Sequence, residues 1–267
     1  MVMNRIEELF KRKPKRVLNI YITAGYPNLN DTVSIVKSLA NAGVDMIEIG
    51  MPFSDPLADG PVIQESSTQA IDNGITLDII FNQIEEIRKT VDIPILLMGY
   101  YNQLLQYGEL DFFTKAKSVG IDGFIIPDLP LEEFQSEFKS LFDDLDLNMV
   151  FLVTPQTSDE RIILLDKASS GFLYLVSSAS TTGAKKTDLS QQSDYFERIN
   201  ALKLKNPTLI GFGISNNANF NEACNNASGA IIGSAFIKMI GDSVDFEKDI
   251  TEFIGNVLGK GGVNYYY

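Results

Sequence analysis

The 267 residues suffice for one large domain or two small ones, and a composition 45% apolar and 21% charged is that of a globular chain with a substantial core. A net charge of −13 argues against a nucleic-acid footprint, the one basic run being Lys11-Arg12-Lys13-Pro14-Lys15-Arg16. Histidine is absent, which removes Ser-His and Cys-His nucleophilic catalysis and leaves carboxylates, tyrosine, lysine or backbone dipoles to carry any chemistry.

No apolar stretch approaches the roughly 18 residues of a membrane span, and the N-terminus lacks the layout of a secretory signal. The single cysteine, Cys224, rules out an internal disulfide and suits a reducing compartment, so a cytoplasmic location is expected.

A short amphipathic pattern (Ile6, Leu9, Phe10) opens the chain and suits a helix capping the bottom of a domain. Apolar runs then alternate with helical patterns. The runs are 17–23, 46–50, 93–98, 123–126, 148–153, 172–176, 208–212 and 229–232. Most are continuous rather than alternating, as in parallel strands covered on both faces. Helices are predicted over 29–41, 77–90, 109–118, 132–142, 158–169, 193–203, 217–225 and 245–258. Eight βα units in a chain of this length predict a single (β/α)8 barrel domain over residues 1–267, with a doubly wound open sheet as the alternative. No linker divides the chain.

The second βα connection is long, about 26 residues from Gly50 to Leu77, with a predicted extra helix at 62–72. Long connections in compact domains tend to be functional, and in a barrel this one lies at the C-terminal face, where active sites are built. Its strand carries Glu48, a carboxylate in an apolar run. Burial there raises a carboxyl pKa and makes Glu48 a candidate proton donor and acceptor, with Asp59 as a second carboxylate. A structural ion pair beside a proline-stiffened turn is the other reading. Alternation puts Met46, Glu48 and Gly50 on one face and Ile47 and Ile49 on the other, so Glu48 is expected to point into the barrel mouth.

Tyr100, Tyr101 and Asn102 follow the third run and Tyr174 lies in the sixth. They read either as packing or as the wall of an apolar pocket for an aromatic substrate. Glycine-bearing turns follow the last three runs: Thr181-Thr182-Gly183-Ala184, Gly211-Phe212-Gly213-Ile214-Ser215 and Gly233-Ser234-Ala235. With a second extra helix opening at Ser234, they predict a phosphate site. Lys185 and Lys186 belong to an expected lid.

The segment from Glu48 through Pro61, with Gly211-Phe212-Gly213-Ile214-Ser215 and Gly233-Ser234-Ala235, closely resembles the tryptophan synthase α subunit family, from the N-terminal helix to about residue 258. The resemblance implies a (β/α)8 barrel that cleaves indole-3-glycerol phosphate to indole and glyceraldehyde 3-phosphate. It implies Glu48 as general acid and base and Asp59 as second carboxylate. It adds Tyr174, Thr182 and Gly183 at the site and its closing loop, and Gly213, Gly233 and Ser234 around the phosphate. Tyr21, Leu97, Tyr100 and Phe212 are expected to wall the indole pocket. Pro52, Asp55, Asn102 and Pro130 are expected to face a β subunit, in an α2β2 heterotetramer. No cofactor is expected in this chain; pyridoxal phosphate is expected in that partner. Two departures stand out: the Ser177–Gly183 segment lacks the family's usual arginine, and Tyr21 stands where phenylalanine is common. A stand-alone lyase and a catalytically silent regulatory barrel remain as alternatives.

Overall fold

The computed structural model describes residues 4–176, 189–211 and 213–260. Nine strand segments, β1 (Val17–Thr23), β2 (Met46–Gly50), β3 (Ile95–Met98), β4 (Gly123–Ile125), β5 (Asn148–Val150), β6 (Leu152–Val153), β7 (Leu173–Val176), β8 (Thr208–Gly211) and β9 (Gly229–Ile232), form one sheet. Its order is β5-β4-β3-β2-β1-β9-β8-β7-β6, with every pairing parallel. The two end segments, β5 and β6, are separated in sequence by Phe151 alone, so they are halves of one strand and the sheet curls round to an eight-position barrel.

The strands are buried on both faces, which is why their sequences read as unbroken apolar runs. Met46, Leu96, Ile125, Val150, Leu209 and Ile231 pack together inside the barrel, whereas Ile47, Ile49, Phe124, Met149 and Ile210 pack outward among the helices. The helix Arg5–Arg12 closes the bottom, inserting Ile6 and Leu9 into the inner cluster. Asn4 fixes that helix: its Oδ1 accepts from the Ile6 N–H at 3.0 Å, and its Nδ2 donates to the carbonyls of Asp122 and Asp146, each at 3.1 Å.

The extra helices occur as expected, Pro61–Asp72 before the helix Leu77–Arg88, and Ser234–Gly241 after β9. Two local features differ from the sequence reading. A helix at Tyr101–Tyr107, its first turn closed by Gln103 Oε1 accepting from the Tyr100 N–H at 3.0 Å, was not anticipated because seven residues are too few to show a period. The helix expected over 132–142 is α-helical at Leu131–Glu133 and Lys139–Asp144 but widens to a π-helical stretch at Phe134–Phe138. There Phe134 and Phe138 are both buried, Phe134 against Phe151 and Phe138 against Tyr101 and Phe113. Among the described residues no helix is long and apolar enough to cross a membrane.

Candidate active site

Glu48 lies in the middle of β2, in register with Tyr21 of β1 and Leu96 of β3. The alternation of β2 sends it inward, above Met46 and below the strand end at Gly50. Its side chain is fully buried. Oε1 accepts from Asn19 Nδ2 at 2.5 Å, and Oε2 has no hydrogen-bond partner among the described residues. Burial pushes the pKa up to about 8, with the Asn19 hydrogen bond acting in the opposite sense. A carboxyl group ionising there carries and releases a proton near neutral pH. No cation pairs with Glu48, so the ion-pair reading fails among the described residues. Asn19 was not singled out in the sequence, although an amide inside the apolar run 17–23 is the same kind of anomaly as Glu48.

Asp59 stands at the end of the loop 51–60. Helix Pro61–Asp72 holds this loop from one side, Gln64 Nε2 donating to the Asp59 carbonyl at 2.9 Å. Tyr100 holds it from the other, its hydroxyl donating to Asp59 Oδ2 at 3.0 Å and accepting from the Ala58 N–H at 2.9 Å. The Phe53 ring stacks on Tyr100 with centroids 5.2 Å apart. Burial raises the Asp59 pKa to about 6, moderated by the Tyr100 hydroxyl. Asp59, Tyr21, Phe53, Met98, Tyr100 and Pro127 face one narrow cleft at the C-terminal end of the barrel. Glu48 lies deeper. Burial first, then the charges of both Glu48 and Asp59, raises the phenols of Tyr21 and Tyr174 far above their ordinary range, so both carboxyls act on the same two rings.

Each of these tyrosines rests over a glycine of the neighbouring strand. A Cβ on Gly50 would come within 2.0 Å of the Tyr21 hydroxyl oxygen, and one on Gly211 within 2.1 Å of that of Tyr174. Gly211 therefore makes room for Tyr174 rather than for an anion. Gly213, at φ +75° with nothing within 4 Å of a would-be Cβ, is the open glycine of that turn. Leu97 needs correction as a pocket wall. It packs in the outer cluster between barrel and helices, because odd positions of β3 face outward, and Met98 lines the cleft instead.

The model of the family described as tryptophan synthase alpha chain matches residues 8–257. The tryptophan synthase alpha chain of Flavobacterium johnsoniae is 54% identical over 255 residues, spanning 96% of this chain and 100% of the relative. The chain belongs to the tryptophan synthase α chain family. Among solved structures, the α subunit from Legionella pneumophila superposes with a TM-score of 0.87 at 32% identity, covering 97% of this chain and 98% of the other. A chain of the tryptophan synthase complex from Pyrococcus furiosus superposes with a TM-score of 0.83 at 33% identity, covering 92% and 98%. The activity of this α chain family is the retro-aldol cleavage of indole-3-glycerol phosphate, a carbon–carbon lyase reaction.

Gly233 precedes the helix Ser234–Gly241, and its carbonyl accepts from the Ile237 N–H at 3.0 Å, which leaves the three N–H groups before it without a partner inside the helix. Pro52, Asp55, Asn102 and Pro130 lie in the loops and short helix that follow β2, β3 and β4. Asp55, Asn102 and Pro130 are exposed, while the half-buried Pro52 accepts through its carbonyl from Gln103 Nε2 at 2.9 Å. Thr182, Gly183 and Phe212, with the Lys185–Lys186 lid, lie outside the described residues.

Proposed function

We propose that Glu48 and Asp59 together carry the cleavage of indole-3-glycerol phosphate in this chain. Glu48 gives a proton to indole C3 and takes one from the C3′ hydroxyl. The C3–C3′ bond breaks, its electron pair returns to the ring, and the C3′ oxygen becomes the aldehyde of glyceraldehyde 3-phosphate. Asp59, as carboxylate, offsets the positive charge that protonation at C3 places on the ring near N1–H. The observation that carries this reading is the pair of carboxyls with raised pKa, Glu48 fully buried on the inner face of β2 and Asp59 half-buried on the wall of the cleft, ionising at about 8 and about 6. The cleft's aromatic and thioether walls suit an indole ring, and Gly213 with the Gly233–Ser234 helix start suits the phosphate.

The partner is a β subunit that receives the indole and supplies pyridoxal phosphate, in an α2β2 assembly; the reaction assigned to this chain asks for no organic cofactor. Support comes from the complex in which a similar chain occurs and from the face that carries Asp55, Asn102 and Pro130. Leu57, 87% exposed, stands on the same face. Such an apolar side chain in open solvent suits a surface that a partner covers. The enzyme is expected to work in the cytoplasm. Turnover of Glu48→Gln and Asp59→Asn, with ligand binding retained, tests the assignment. Near-normal rates in either variant remove that residue from the mechanism. Full-speed turnover by the isolated chain, unchanged by a β subunit, would favour a stand-alone lyase.

A further inference from the structure

Asn19 of β1 is fully buried inside the barrel, and its Nδ2 donates to Glu48 Oε1 at 2.5 Å. Its other half is unused among the described residues, where Asn19 Oδ1 is buried without a hydrogen-bond partner, as is Glu48 Oε2. The surroundings are apolar. Met46 and Ile231 flank Asn19 in register, and Leu96 flanks Glu48. An amide whose acceptor meets no protein donor carries a desolvation cost that a leucine of similar volume would not, so packing alone does not account for it.

Among the described residues, the titratable groups that feel the Glu48 charge are Tyr21 of β1 and Tyr174 of β7, and Asp59 of the loop 51–60 acts on the same two rings. Burial keeps both phenols protonated and Asp59 adds only negative charge, so none of them favours the Glu48 carboxylate by charge. The Asn19 N–H is the group that does so.

We propose that Asn19 is a positioning residue: its amide N–H pins Oε1 of Glu48 and leaves Oε2 as the oxygen that exchanges protons with the substrate. The N–H can donate to Oε1 whether Oε2 is ionised or protonated, so the carboxyl keeps one orientation through the proton's departure and return. An amide does this without titrating and without competing for the proton. The same bond favours the charged form and keeps Glu48 ionising near neutral pH despite its burial. This inference rests on the reading of Glu48 as acid and base.

The test is Asn19→Leu in the full chain, with ¹³C-labelled glutamate to follow Glu48 by NMR, its resonance assigned by loss in Glu48→Gln. Removal of the donor should raise the pH at which Glu48 ionises by about one unit or more. Turnover should fall tenfold or more with KM changed less than about twofold, since the alignment of the proton carrier is lost rather than binding. Asn19→Ser, smaller and polar, guards against misfolding of the leucine variant; it should move both readouts in the same direction. An unchanged Glu48 titration in a folded variant overturns the proposal, even where turnover falls. If Glu48→Gln itself retains turnover, the failure lies with the catalytic reading of Glu48 instead.

Discussion

The Tyr100 hydroxyl donates to Asp59 Oδ2 at 3.0 Å while it accepts from the Ala58 N–H at 2.9 Å, so one phenol fixes both the backbone and the carboxylate of the loop that follows β2. Tyr100→Phe should therefore change Asp59 in two ways. The donated bond holds the pKa below what burial alone would give, and its loss moves ionisation of Asp59 above about 6. The acid limb of the kcat/KM profile, which reports the free enzyme, should shift to higher pH. Looser positioning should also lower the plateau by about tenfold to a hundredfold. A pH–rate series on the two proteins checks this; superimposable profiles would exclude Tyr100 from any part in setting Asp59.

Glu48 ties stability to pH. Its folded pKa of about 8 exceeds the ordinary 4.5, so the unfolded chain loses this proton first. The group's neutral form is compatible with the native barrel below pH 4.5. As pH rises from there to about 8, the native state is progressively penalised for holding a proton the unfolded chain has released, and above 8 the penalty is constant. Glu48→Gln removes the titration. The variant should gain on the parent by about 5 kcal/mol across that window, flattening on either side. Urea melts from pH 5 to 9 measure it, and a difference independent of pH would contradict the raised pKa.

Gly50 is required by its neighbour rather than by its own conformation. Gly50→Ala would drive a methyl carbon to 2.0 Å from the Tyr21 oxygen, in a position where that ring is buried and walls the cleft. The ring must move, and kcat/KM should drop at least about tenfold. Gly60→Ala, with nothing within 4 Å of the new carbon, should stay within about twofold. Steady-state kinetics on both, beside thermal melts, separates loss of the cleft from loss of the fold.

Much of this was legible because the barrel writes itself in periods. Runs such as 17–23 and 46–50 coincide with β1 and β2 to the residue, and alternation along β2 put Glu48 on the inner face. Alternation applied to β3 would equally have turned Leu97 outward; that position came from resemblance, which carries no geometry. Asn19 stands out in its apolar run as Glu48 does, but nothing in a linear string shows that it lies diagonally across two parallel strands from Glu48. The task of Gly211 was hidden for the same reason: a glycine in a turn looks like an anion contact until the tyrosine above it is seen.

The opposite end of the barrel holds another buried acid with a different role. Asp122, just before β4, accepts from Arg88 Nη2 at 2.6 Å, from Arg5 Nη1 at 3.0 Å and from the Ile95 N–H at 2.9 Å. It thereby joins the capping helix, the helix Leu77–Arg88 and β3. Arg88 is itself nearly buried and also donates to the carbonyls of Gly120 and Ile93, at 2.9 and 2.6 Å. Asp122→Ala would strand that guanidinium and the Ile95 N–H without their acceptor. Breaking one side of such a pair costs about 3–5 kcal/mol, so the unfolding midpoint should fall sharply. The site at the other end should be indifferent, with kcat per folded molecule within about twofold of the parent. Arg88→Leu combined with Asp122→Ala should cost less than the two single changes added, because the second change no longer leaves an unpaired charge. Additive losses in denaturant melts would show that the two side chains act independently.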